Sequence, residues 1–397
     1  MTMEVSIDRL NFLMDEVRKI HESHENQVKA KFWQVINHDE WQPAFIRTLP
    51  NREIGNKIPF VVELGLGLWS KILDFDLSHY YHDPLTYAIA HLEMKIFHAK
   101  HFFDDTYIEK NFRLLIATTL EGSILGVPFG YTQEGHPWLD YQHPPIQEIS
   151  DLDKISLPDF YKSGEMPQLL KFYETITNWL DDDFMIKFPD WIMGPFGVAA
   201  ELRGFDKLLM DMILEPRFVD DLFAFIVGAR KSWQNQLDDY LGIKRTRGLL
   251  GNDDVNCPTL SPELYEKQLL PVEIGLCRHY GAIYYWHSCG LTTPLLPYIQ
   301  KIPQIDLFHC GPWTSVQKAC HTFAGRGNAL EIMIETIDKV QLSSADMMRK
   351  YITETAQQIP AETNCFIKVD SFECMRDVKK EIDVIKTWIQ EAREVLG

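Results

Sequence analysis

The sequence predicts an α/β chain folded as a closed (β/α)8 barrel of the TIM type, with an N-terminal helical extension. Three observations carry that expectation. The second half alternates apolar runs of strand length with amphipathic helical stretches, the pattern of parallel β/α units. About eight such runs occur over the whole chain, the number a closed barrel needs. No G-x-G-x-x-G follows the first strand, so nothing favours the competing open sheet with a dinucleotide site.

The elements follow in order. Residues 1–48 have apolar positions at helical spacing, with "KFWQVI" adding an aromatic face. They predict a helical extension over about residues 1–55, packed on a catalytic barrel over 56–397. "IPFVVELGLG" (58–67) is the first strand: a proline, a run of β-formers, then glycines. A helical pattern continues through "PLTYAIAHLEMKIFHAKHF", and a second apolar run, "LLIATTLEGSILG", covers 114–126. Residues 127–165 are rich in proline, glycine, histidine and aromatics and predict loop; the helix "MPQLLKFYETITNWL" follows. "DWIMGPFGVAAELRGF" (190–205) predicts a strand, a turn at Gly194-Pro195 and a helix start. The remaining strands are "RGLLGNDD" (247–254), "AIYYWHSCG" (282–290), "IDLFHCG" (305–311), "ALEIMIE" (329–335) and "CFIKVDS" (365–371).

The 397 residues suit two domains or one large barrel with insertions, and 45% hydrophobic with 12% aromatic residues is ample for a core. A net charge of −18 without a lysine or arginine cluster argues against nucleic acid or an anionic membrane as partner. The first twenty residues are charged and amphipathic, without the apolar core of a signal peptide, and no apolar run is long enough to span a bilayer. The seven cysteines have the look of thiols and not of a disulfide framework. Together these features predict a cytoplasmic protein, and an oligomer is compatible with them.

In a barrel, reactive groups gather where strands end, on the face built by the β-to-α loops. That rule selects Glu63, Glu121, Asp253, Asp254, His287, Cys289, His309, Cys310 and Glu331 or Glu335, with Asp370 and Cys374 after the last strand. His287 and Cys289 are the sharpest pair, because a short turn can aim both into one cavity, and imidazole nitrogen with thiolate sulfur suits zinc. A third ligand is needed. Cys310 ends the next strand and Cys374 lies just beyond the last one, whereas Cys365 opens that strand and belongs to the opposite end. An open fourth position would make the site catalytic. The plainer alternative is a buried thiol beside a histidine bonded to backbone. Asp253 and Asp254 can position a polar substrate or exchange a proton, or else form a turn that caps the next helix. Asp104-Asp105 predict a solvated helix end. Trp69, Trp191, Trp286 and Trp313 fall near strand ends, where they would wall a flat ligand or serve as core.

Several segments together resemble the uroporphyrinogen decarboxylase superfamily. "MGPFGVAAELRGFDKLLMDMILEPRFVDDLFAFI" (193–226) looks like its central Gly-Pro-Phe segment and following helix. "DDVNCPTLSPELYEKQLLP" (253–271) looks like its Ser-Pro-Glu segment, and "HSCG" (287–290) resembles the branch of cobamide-dependent methyltransferases. The likeness spans roughly residues 115–390. It implies a barrel with its site at the C-terminal mouth, and in the methyltransferase branch a zinc ion held by an H-x-C pair and a later cysteine. His287 and Cys289 match the pair. Cys374 matches the later cysteine by topology, although "SFECM" stands where the branch has a Gly-Cys-Gly pattern. The arginine motif with which the decarboxylase proper grips porphyrinogen carboxylates has no counterpart in "KIPFVVELGLGLWSKILDF".

The expectation is therefore a methyltransferase that moves a methyl group between a small methylated substrate or thiol and a corrinoid. Zinc would sit on His287, Cys289 and Cys374 (or Cys310), with Asp253, Asp254 and Glu63 orienting the substrate or handling a proton. No Asp-x-His-x-x-Gly cobalamin motif occurs, so the corrinoid would arrive on a partner protein. The alternatives are a decarboxylase of a small acid or tetrapyrrole, and a metal-free binding protein on the same scaffold.

Overall fold

The computed structural model describes residues 3–34, 49–51, 57–114 and 119–397. The parts of the expected extension at 1–2, 35–48 and 52–55, and residues 115–118 of the second apolar run, lie outside the described residues.

Ten strands are present among the described residues: β1 (Phe60–Leu64), β2 (Asn111–Arg113), β3 (Phe129–Tyr131), β4 (Pro137–Leu139), β5 (Met185–Lys187), β6 (Gly248–Gly251), β7 (Ile283–His287), β8 (Ile305–Cys310), β9 (Ala329–Met333) and β10 (Cys365–Phe372). Six form one sheet in the order β1-β10-β9-β8-β7-β6, with every pairing parallel. β2 and β5 make a second parallel pair, and Met193 bridges Gly251 to bring the segment after β5 alongside β6. Eight strand positions thus go round the barrel, while β3 and β4 form a separate antiparallel ribbon. The expected run at 114–126 lies differently: the strand is β2, just before it, and Leu120–Ile124 is a short helix. That helix is fixed by the buried Glu121 carboxylate, which accepts the backbone N–H groups of Ile192 and Met193 at 2.5 and 2.8 Å.

Strands covered by helices outside and side chains inside are apolar on both faces, which is why the second half reads as near-continuous apolar runs. The barrel interior is layered by the two-residue period of a strand. Val61, Leu249, Tyr285, Leu307, Ala329 and Phe366 form an apolar cluster of their own. Two residues further toward the mouth, their strands carry Glu63, Gly251, His287, His309, Glu331 and Lys368. Trp33, from the N-terminal region, packs edge-on against Phe366 at 5.3 Å and seals the cluster from below. The helix Met3–Glu22 buries Leu10, Leu13, Met14 and Val17 in the same outer core that surrounds the sheet.

β1 and β2 are neighbours without a backbone ladder. In its place the Asp104 carboxylate accepts the Val62 N–H at 2.8 Å, and Asp105 accepts the Phe60 N–H at 3.0 Å. Both acids are buried, Asp104 completely, so the solvated helix end expected there is corrected. Burial alone would raise Asp104, but His98 at 2.9 Å, Thr106 and the Val62 amide outweigh it and hold the carboxyl at about 2. The four tryptophans divide: Trp69, Trp191 and Trp286 are core, and Trp313 is exposed.

Candidate metal centre

His287 ends β7, His309 lies one residue before the end of β8, and Cys289 follows His287 in the turn between them. The parallel register sets the two imidazoles side by side, with ring centroids 4.2 Å apart. One ligand atom each of His287, Cys289 and His309 converge, all within 4.8 Å of one another. Gly311 keeps the turn close, because a Cβ there would stand 2.7 Å from the carbonyl oxygens of Ser288 and Cys289.

Glu331 on β9 organises the two histidines. Its Oε1 accepts the Tyr285 hydroxyl at 2.6 Å and lies 2.7 Å from His309 Nδ1. The Tyr285 oxygen is in turn 2.8 Å from His287 Nδ1. With Glu331 an acceptor, the network assigns the proton of each imidazole to Nδ1 and leaves each Nε2 with a free lone pair. His309 Nε2 is buried and has no hydrogen-bond partner. His287 Nε2 faces Cys289 Sγ at 3.4 Å and Asp253 Oδ1 at 3.1 Å. A buried lone pair without a donor is costly unless something occupies it. A histidine that donates its other ring N–H to a carboxylate is also the usual arrangement behind a bound metal. The donor set of two imidazoles and a thiol suits zinc.

The charges support this polarity. Burial and the neighbouring His287 lower His309 to about 4, so it stands neutral at pH 7. Burial works to raise Glu331, but Lys368 and His309 hold it well below the usual carboxylate range. Lys368 also pairs with Glu63 at 3.1 Å and Asp370 at 2.9 Å. Asp253 Oδ1 accepts the Cys289 N–H at 3.1 Å. Burial, then the Asp253 charge, push the Cys289 thiol up.

The sequence-derived residues distribute as follows. His287, Cys289 and Asp253 come together, and Glu63 reaches the same mouth through Lys368. Asp254 turns instead into a neighbouring cavity. Cys374 and Cys310 lie outside the converging set. Cys310 points to the opposite face of β8 from His309, into the outer core, with Sγ 3.8 Å from the Thr314 carbonyl. Cys374 is half-buried against that same outer core. Cys365 opens β10, at the far end. Sequence reasoning placed His309 and Glu331 at strand ends but gave them no part in the site. The signal that finds them is strand phase, since both fall on the interior face of a strand next to β7 or β8.

The model of the family described as uroporphyrinogen decarboxylase (URO-D) matches residues 110–366, more than half of the chain. The chain belongs to the uroporphyrinogen decarboxylase family. Among solved structures, this family member is similar to a methyltransferase from Methanosarcina mazei, with a TM-score of 0.61, 14% identity, and coverage of 85% of this chain and 94% of that one. At that identity the likeness concerns the fold, and it includes most of both chains. No curated protein sequence matches. No helix among the described residues is long and apolar enough to cross a membrane.

Proposed function

We propose that this uroporphyrinogen decarboxylase family member is a zinc-dependent methyltransferase. It would move a methyl group between a small methylated substrate or thiol and a corrinoid carried by a partner protein in the cytoplasm. The observation that carries the reading is the pair of Nε2 lone pairs, set by Glu331 through both Nδ1 atoms and converging with the Cys289 thiol. His287, Cys289 and His309 would hold the metal. Bound there, zinc supplies a positive centre that keeps a coordinated thiol deprotonated and nucleophilic. Glu331 and Tyr285 hold the imidazoles in the liganding tautomer, and Lys368 keeps Glu331 ionised. Asp253 orients the His287–Cys289 turn by accepting the Cys289 N–H. The resemblance to the M. mazei methyltransferase fold agrees with this reading.

A decarboxylase of a polycarboxylate would need unpaired cations at the mouth. Lys368, which faces that mouth, already meets Glu63, Glu331 and Asp370. The deciding experiment measures metal content together with methyl transfer from a panel of methylated donors to reduced cobalamin. About one zinc per chain and zinc-dependent methylation support the proposal; equal rates with and without metal would remove it.

A further inference from the structure

Beside the metal corner lies a cavity of about 530 Å³ at the same mouth. It sits between the helix Pro195–Arg203, the loop around Tyr141 and the turn after β6. Successive side chains divide the work there: Asp253 meets His287, and Asp254 enters the cavity. Asp254 Oδ2 lies over Gly197, where an added Cβ would be 3.6 Å away. Glu201, one helical turn on from Gly197, shares that face and also lines the cavity. Glu201 is only 5% exposed, and its Oε2 has no hydrogen-bond partner. Its neighbours do not compensate it. No cation pairs with Glu201 or Asp254 among the described residues, and Arg203 on the same helix is committed to Asp211 at 2.7 Å. Glu201 and Asp254 thus both line one cavity, with Glu201 Oε2 unpartnered against Gly122 behind it, and the ring of Tyr141 stands on its exposed side.

We propose that this cavity is a subsite for the ammonium group of a small organic cation, a methylated amine. Carboxylates supply the counter-charge, and an aromatic face suits a desolvated methylammonium. Calling that cation the substrate rests on the methyltransferase reading above; its binding does not. The resting site supports the assignment. Burial, then the charges of Glu121 and Asp254, push Glu201 well up, which favours its neutral form. Asp254 is raised by burial and by Asp253. An arriving cation would ionise Glu201, and one proton would leave for solvent. The groups facing Glu201 are Glu121 and Asp254, with Tyr141 across the cavity; Asp206, Arg203 and Lys207 also line it, Arg203 held by Asp211 and Lys207 by the Gln147 carbonyl at 3.0 Å, and Glu121 is itself raised by burial. Binding should therefore tighten as pH rises.

The test is titration calorimetry of the full chain with choline, tetramethylammonium and the uncharged choline isostere 3,3-dimethylbutan-1-ol, in two buffers of different ionisation heat. The cations should bind at least about tenfold more tightly than the isostere, with close to one proton released, and Glu201→Gln and Asp254→Asn should each weaken them about tenfold or more. Melting curves establish that both variants are folded, and His287→Ala should keep cation binding while losing zinc. Equal binding of the isostere, no cation binding, or no effect of either substitution would overturn the subsite. Cation binding without any methyl transfer would leave the subsite standing and defeat the methyltransferase reading. Methyl transfer from other donors without cation binding would do the reverse.

Discussion

The barrel has two unlike arcs. From β6 through β10 to β1 the strands are four to eight residues long and joined by a continuous parallel ladder, with register shifts at Val62–Leu64 and Gly248–Leu249. From β2 to β5 they are three residues long, and the junction with β1 is made by two carboxylates and one backbone bond, Asp105 N–H to the Phe60 carbonyl. His287, His309, Glu331, Lys368 and Glu63 all stand on the laddered arc. A liganding group must be held to a fraction of an ångström, and adjacent strands in fixed register do that better than loops. The other arc contributes the Pro195–Arg203 helix and the wide cavity beside it, where shape matters more than exact placement.

Substitutions can separate the two arcs. The largest expected effect is His309→Ala: zinc affinity, measured by chelator competition, should fall more than about 100-fold, beyond the range for partners outside the ligand shell. Cys374→Ala and Cys310→Ala should leave it nearly unchanged. If Cys374→Ala were the damaging change, the laddered arc would not hold the metal alone. Next comes Glu331→Gln. It keeps the shape but can present its amide to the histidines, and should weaken zinc by about 10–100-fold.

Asp104→Asn addresses the other arc. It should cost roughly 2 kcal/mol of unfolding free energy in urea melts and leave zinc affinity within about threefold. The sign with pH follows from a carboxyl held at about 2, below its ordinary value of 3.8. Its contribution is complete above about pH 4 and is lost as pH falls toward 2, so the variant and the parent should converge in stability there. The smallest effect is expected of Asp253→Asn, a severalfold drop in methyl-transfer rate with zinc retained. Release of zinc by that change would make Asp253 a ligand.

The difference between the arcs also decided what the sequence could reveal. Strands such as "AIYYWHSCG" and "ALEIMIE" are long enough to show as apolar runs ending in polar residues, so the barrel and the H-x-C turn were legible. β2 and β5 are too short for periodicity to detect. Their closure depends on Asp104 and Asp105, which as a charged pair after a helix look like a solvated end. The third member of the converging group was hidden for another reason. His309 lies 22 residues beyond His287, and its Nε2 is left with a free lone pair only because Glu331, a further 22 residues on, accepts a hydrogen bond from its Nδ1–H. Nothing local in the sequence expresses that relation. It exists only once β7, β8 and β9 are in register.

A closed barrel is usually valued for having no sheet edge. Here one edge persists behind two carboxylates: β1 presents the amides of Phe60 and Val62 to side chains and not to a neighbouring strand. Uncovering such an edge takes rotamer changes at two residues and the loss of one backbone bond, from the Asp105 N–H to the Phe60 carbonyl at 2.9 Å, whereas parting a junction in the laddered arc means breaking a run of backbone bonds. The ring therefore has a preferred place to come apart. Deuterium entering at Phe60 and Val62 before it reaches the amides of β8 would mark this seam as the line along which the native barrel first unrolls into a ribbon.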